Sequence, residues 1–144
     1  MAELLLVIRL AGRRIALPAS EVEGVVELET LTPAPGAAPH VAGLASLRSR
    51  VLTVIDGLAA LGLGAAATES LASAIVIPSD GHPYALLVDG VEDVVETNAP
   101  RAAIAAPVGD GWDRVALGMI EADGELLLLA DPHALIAGTL AQAA

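Results

Sequence analysis

The sequence predicts an all-β fold with short helices, arranged as two tandem five-stranded barrels and closed by a C-terminal helix. Three observations carry this: an internal duplication, a series of short apolar segments separated by Gly-containing turns, and a core composition almost free of aromatic residues. The duplication appears when Leu5–Leu28 is laid on Ala74–Thr97, an offset of 69, where 10 of 24 positions coincide, among them Val7/Val76, Gly12/Gly81, Leu17/Leu86 and Glu27/Glu96. Chance would give roughly three in a chain so rich in Ala, Leu and Val. A second stretch repeats at an offset of 75, with Gly43, Leu52, Val54 and Asp56 falling on Gly118, Leu127, Leu129 and Asp131. The change of offset places a six-residue insertion between Thr97 and Gly118. A unit of this length buries too little surface alone, so the copies, about 4–63 and 73–138, are expected as two subdomains packed on each other in a single domain.

The elements follow in order. Leu4–Leu10 and Arg13–Pro18 flank Ala11-Gly12 and read as a β-hairpin, because Gly supplies the positive φ of a tight strand reversal; Ala74–Pro78 and Tyr84–Val88 flank Ser79–His82 in the same way. Ala19–Glu23 and Asp89–Asp93 are short polar steps suited to a helical turn, followed by third strands at Val25–Leu28 and Val94–Glu96. Each copy ends in a second hairpin, Val41–Leu47 with Arg50–Asp56 and Ala116–Glu121 with Glu125–Ala130. Five short strands per copy suit a barrel, since closure removes exposed edges. Gly57–Ala67 reads as one helical turn and a Gly/Ala linker. Asp131–Ala144 reads as a helix, with Asp131 as N-cap, Pro132 at the first position and Leu135, Ile136 and Leu140 on an apolar face. Thr32–Pro35 and Asn98–Asp113 are loops. Alternation across the pleat predicts Val7, Ile15, Leu17, Val26, Val54, Ile75, Leu86, Val95 and Leu127 buried, with Arg13, Glu27, Asp80 and Glu96 exposed.

Composition excludes several functions. The chain has 144 residues, 55% of them hydrophobic, with one Trp, one Tyr and no Phe, so stacking platforms for single-stranded nucleic acid are lacking. Seven Arg, no Lys, 18 acids and a net charge of −11 leave no basic stripe for phosphate and would be repelled by anionic lipid. No apolar run reaches the roughly 18 residues of a membrane span and the N-terminus lacks a secretory pattern, so a cytoplasmic protein with no direct membrane insertion is expected. Without Cys there is no disulfide, thiol nucleophile or Cys-ligated zinc.

The chemical inventory is correspondingly thin. His40, His82 and His133 have no ligand partner at helical spacing and read as solvated surface residues. The carboxylate pairs Glu21/Glu23, Glu27/Glu29, Asp89/Asp93 and Glu92/Glu96 sit in an acid-rich surface rather than as catalytic dyads. Five Asp-Gly dipeptides match no calcium-loop spacing, Gly62-Leu63-Gly64 lacks the βα context of a dinucleotide fingerprint, and no serine stands in a G-x-S-x-G elbow. No catalytic residue, metal site or cofactor follows from these residues, and no enzyme is expected. Arg48 stands apart: it sits at a hairpin tip, aligned with Asp123 of the second copy. It is either an exposed turn residue or a fork placed for a partner's carboxylate or carbonyl.

The hairpin VAGLASLRSRVLTVID (Val41–Asp56) resembles the signature of the CheW family of chemotaxis coupling proteins. RIALPASEVEGVVEL (Arg14–Leu28) and YALLVDGVEDVVE (Tyr84–Glu96) resemble the same family's two halves. The likeness spans about Leu4 to Ala137. Ser46 and Ser49 stand where that signature has Asn and Gly, Thr53 where it has Pro, Gly57 where it has Leu, and Gly24 where an acid is frequent. The resemblance implies two SH3-like barrels and a cytoplasmic, non-enzymatic adaptor that uses no cofactor. Its partners would be the cytoplasmic tip of a chemoreceptor and the regulatory domain of a CheA-type histidine kinase. Carried over by position, the receptor groove would comprise Val22, Gly24, Val25, Leu44 and Arg48. An alternative within the same fold is a free-standing sensory module holding a small ligand in the cleft between the barrels.

Overall fold

The computed structural model describes residues 2–64, 73–109 and 111–138. Residues 65–67 of the expected linker and 139–144 of the expected C-terminal helix, with Leu140, lie outside the described residues. The strands are β1 (Glu3–Leu10), β2 (Arg13–Pro18), β3 (Gly24–Glu27), β4 (Val41–Leu47), β5 (Arg50–Asp56), β6 (Ser73–Ser79), β7 (His82–Leu87), β8 (Gly90–Thr97), β9 (Ala116–Ala122) and β10 (Glu125–Ala130). The helices are α1 (Gly57–Ala60), α2 (Trp112–Val115) and α3 (Pro132–Ala137), and a 3-10 turn covers Ala19–Glu21. All four hairpins close with two residues of positive φ, at 11–12, 48–49, 80–81 and 123–124, the reversal whose twist matches that of paired strands.

The strands form two five-stranded sheets, sheet A in the order β8-β1-β2-β10-β9 and sheet B in the order β3-β6-β7-β5-β4. This corrects the expected division at 4–63 and 73–138. Each sheet takes its first hairpin from one repeat and its remaining three strands from the other, so β1–β2 sits with β8–β10, and β6–β7 with β3–β5. The reason lies in burial. β1, β2, β6 and β7 are apolar on both faces, whereas a hairpin in a self-contained barrel needs only one. Leu5, Val7 and Ala16 point into sheet A's own core with Val95, Ile120, Leu127 and Leu129. Ala74, Val76 and Ala85 do the same in sheet B with Leu52 and Val54. The opposite faces, Leu6, Ile8, Ile15 and Leu17 against Ile75, Ile77 and Leu86, meet in a central core with Ile55, Leu61, Trp112, Leu128, Leu135 and Ile136. Each fully buried Leu or Ile contributes about 1.5–3 kcal/mol. This central core lies at the seam between the two sheets.

Of the residues expected in the core, all but Val26 are buried, and Val26 is half-buried on the short edge strand β3. Glu27, Asp80 and Glu96 are exposed as expected. Arg13 is only half-exposed, because its guanidinium lies 5.3 Å from the centre of the buried Trp112 ring. Trp112 itself belongs to α2, within what sequence alone reads as a loop.

The repeated residues explain themselves in three dimensions. The outer edge of β4 is capped by a one-residue strap, Thr32, which exchanges backbone hydrogen bonds of 2.7 and 2.8 Å with Leu44; Ala102 does the same for Met119 on β9. The straps approach closely where the repeats share Gly43 and Gly118: a Cβ on Gly43 would collide with the Thr32 carbonyl, and one on Gly118 would lie 2.6 Å from that of Ala102. Asp56 accepts from the amides of Leu58 and Ala59 at the start of α1, and Asp131 from that of His133 at the start of α3. Both are N-caps.

The third strands differ. β8 runs eight residues along β1, whereas β3 pairs with β6 over four, so the expected helical step at Asp89–Asp93 is strand from Gly90 onward. Pro78 accounts for this. It lies opposite Pro83 on β7. Neither has an N–H, so that pair is non-hydrogen-bonded and the missing donor of Pro78 faces β3. The aligned residue of β1 is Arg9, which pairs with Gly90 and whose carbonyl accepts from Asp89.

Candidate functional site

Six of the chain's seven cations are engaged within the molecule. Arg9 and Arg14 pair with Glu92, and Arg14 also reaches Glu125, forming a charge network across the outer face of sheet A. Arg50 pairs with Glu23 at 2.7 Å, and Arg101 with Glu3. The carboxylate of Glu23 holds Arg50 above its ordinary value, chiefly by hydrogen bonding. Arg13 stacks on Trp112. Arg114 donates to the carbonyls of Ala134 at 2.7 Å and Ala60 at 2.6 Å, and burial holds it below the usual guanidinium value. Arg48 is left. It is exposed at the β4–β5 tip and makes no hydrogen bond or ion pair among the described residues. Its backbone φ is 49° and that of Ser49 is 68°. The other three tips carry Gly at the second position, so this one alone places two side-chain-bearing residues in the left-handed region.

The five residues carried over by position all belong to the margins of sheet B. Gly24 and Val25 lie on the edge strand β3, Val22 just before it, Leu44 on the opposite edge strand β4, and Arg48 at its tip. The two edges converge: Glu27–Thr30 and Ala45–Leu47 line one cavity of about 280 Å³. The Arg50–Glu23 pair draws the hairpin tip towards the start of β3. Val25 is exposed. Val22 is half-buried against the central core, and Leu44 is half-buried with its outer backbone already paired to Thr32. Gly24 is half-buried as well, so the exposed part is Val25 and Arg48.

Val51 completes it, an exposed aliphatic side chain on β5 next to Arg50. The alternation of β5, with Leu52 and Val54 inward, contains the signal that turns Val51 outward. Exposed aliphatic side chains on the same sheet as an unpaired fork can receive a helix or strand bearing apolar side chains and a carboxylate.

Of the three histidines, expected at the surface, His82 is exposed, His133 is partly exposed and His40 is buried. His40 is 7% exposed, and its Nε2 donates to the carbonyl of Ile136 at 2.8 Å. The segments that lead into β4 and β9 carry His40 and, within α2, Arg114, and each side chain bonds helix carbonyls across the seam. His82 and the Thr53 hydroxyl are 2.8 Å apart. His133 Nε2 donates to Glu21 at 2.7 Å. No group of three or more potential metal ligands occurs among the described residues, and no helix there is long and apolar enough to cross a membrane.

Comparison with known proteins agrees with this architecture. The chemotaxis protein CheW of Thermotoga maritima is 26% identical over 117 residues, spanning 81% of this chain and 76% of that protein. The crystal structure of the scaffolding protein TtCheW from Thermoanaerobacter tengcongensis superposes with a TM-score of 0.80 at 22% identity, covering 96% of this chain and 95% of that one, and so shares the fold. The family model described as the CheW-like domain matches residues 4–139, and the chain belongs to that family.

Proposed function

We propose that this chain is a non-enzymatic cytoplasmic adaptor that couples the tip of a chemoreceptor to a CheA-type histidine kinase. A receptor helix would lie along the margin of sheet B, its apolar side chains on Val25 and Val51 and against Val22, Gly24 and Leu44. A carboxylate of that helix would meet Arg48. Membership of a family whose relatives are a chemotaxis protein and a scaffolding protein supports this reading. The observation that carries it is the state of Arg48, the one arginine of seven with no intramolecular partner among the described residues, on a chain of net charge −11. A cation left unpaired among so many carboxylates is available to a partner. Signalling then requires only different affinities for two receptor or kinase states.

The test is Arg48→Glu, titrated against a coiled-coil receptor-tip fragment and melted in parallel. Reversing an interfacial cation costs about 2–5 kcal/mol of binding, against about 0.5 kcal/mol of stability for an ordinary surface change. Unchanged affinity would remove Arg48 from the site, and a collapsed melting point would make its role structural. Capture of a CheA regulatory domain by the wild-type chain distinguishes the adaptor from a ligand-binding module.

A further inference from the structure

We infer that His133 is a positioning residue for the docking margin of sheet B, holding in place the 3-10 turn that leads into β3; the inference rests on the docking reading above. The turn has few restraints of its own. It is three residues long, follows Pro18, has no side-chain cap and buries none of its residues. Its backbone contacts are Val22 N–H to Ala19 O at 3.1 Å and, one residue on, Glu23 N–H to Val76 O at 2.8 Å. Such a turn takes its place from outside.

His133 supplies the anchor. Its Nε2 donates to the carboxylate of Glu21 at 2.7 Å, and its Nδ1 lies 3.2 Å from the hydroxyl of Ser79 at the end of β6. One imidazole thus joins α3, the turn and sheet B. Among these, α3 is the fixed party: Asp131 caps it, Leu135 and Ile136 are buried, Arg114 binds the carbonyl of Ala134 and His40 that of Ile136. Glu21 immediately precedes Val22, so the restraint passes along the backbone into the margin.

The second repeat shows what the contact replaces. Gly90 and Leu58 occupy the positions aligned with Glu21 and His133, so the latch exists in one half only. That other half does not need it, because β8 begins at Gly90 and is held by pairing along β1. Where Pro78 cuts the ladder short, a side-chain latch takes over. The pair is exposed, so it adds little to global stability. Its effect falls on local order, and a disordered margin binds more weakly because the partner must order it.

The test uses the full chain and a coiled-coil fragment of a chemoreceptor tip, with Arg48→Glu as reference. His133→Ala and Glu21→Ala should each raise Kd by roughly three- to tenfold, and the double variant no further than either alone. His133→Gln, whose amide N–H can replace Nε2, should restore most of the affinity. The amides of Val22 and Glu23 should exchange faster in the alanine variants, with the melting point nearly unchanged. Additive effects, a collapsed melting point, or normal affinity for His133→Ala when Arg48→Glu is impaired would overturn the inference. If Arg48→Glu binds normally, the docking reading fails instead, and exchange at Val22 and Glu23 decides whether the latch exists.

Discussion

Sheets A and B are two solutions to one strand order, and their differences separate what the fold needs from what the surface does. Val25 and Val51 of sheet B align with Val94 and Leu126 of sheet A, and their exposures match: 44% and 57% against 55% and 61%. Gly43 and Gly118 both make room for a strap, and Asp56 and Asp131 both cap a helix. The charges do not match. Arg48-Ser49 faces Asp123-Gly124, and the Arg50–Glu23 pair becomes Glu125 and Glu92 held together by Arg14. The glycines and aspartates that recur in both halves serve the straps and the helix caps. A residue that appears in a single half serves something the other half does not do.

Several measurements would break or sharpen that division. Gly43→Ala should lose more than about 2 kcal/mol in denaturant titration, since the strap carbonyl blocks a Cβ and the backbone φ is 155°. Gly118→Ala, blocked by Ala102 but without positive φ, should lose less; two neutral substitutions would mean that the straps do not explain the repeated glycines. Removing the caps should cost about 1 kcal/mol each, and Asp56→Ala at least as much as Asp131→Ala because Asp56 serves two amides. Ser49→Gly should stabilise the chain by about 0.5–1 kcal/mol and Gly124→Ser destabilise it comparably, since both second turn positions have positive φ. Equal and opposite effects would show that the β4–β5 tip retains Ser49 at a cost to stability.

The smallest expected effect is a pH dependence. Arg101 holds Glu3 below its ordinary carboxylate value of 4.5, mainly by hydrogen bonding. A carboxyl lowered in the folded state stabilises above the unfolded value, and the gain fades as pH falls through the folded one. Glu3→Gln should therefore narrow the gap in stability between pH 7 and pH 3, by less than about 1 kcal/mol for so exposed a pair. An unchanged gap would show that the ion pair adds nothing.

Much of this was legible before the structure. Alternation and turn glycines gave most strand boundaries to within two residues, because side-chain direction and φ are local properties. The exposure of Arg48 followed from its place at a tip. Strand partners were not legible: the apolar run Leu4–Leu10 marks a strand, but nothing local states whether β8 or β3 lies beside it. Charge type also misled at His40, which reads as a polar loop residue and is buried because Ile136 offers it a carbonyl from far along the chain. The Glu21–His133 contact spans 112 residues and carries no local spacing at all.

The exchanged hairpins also set an order of events as the chain is made. Every strand of sheet B lies between Gly24 and Leu87, so that sheet can be complete while the rest of the chain is still being synthesised. The first hairpin belongs to sheet A and must wait for Gly90–Ala130. Until then its apolar faces, Leu5 to Ile8 and Ile15 to Leu17, have no native strand from sheet A to cover them, the condition in which nascent chains associate wrongly. Three of the seven arginines, Arg9, Arg13 and Arg14, cluster at the turn of this hairpin. Like charges at this turn disfavour edge-to-edge pairing of two copies, and in the folded chain Arg9 and Arg14 bind Glu92 while Arg13 stacks on Trp112.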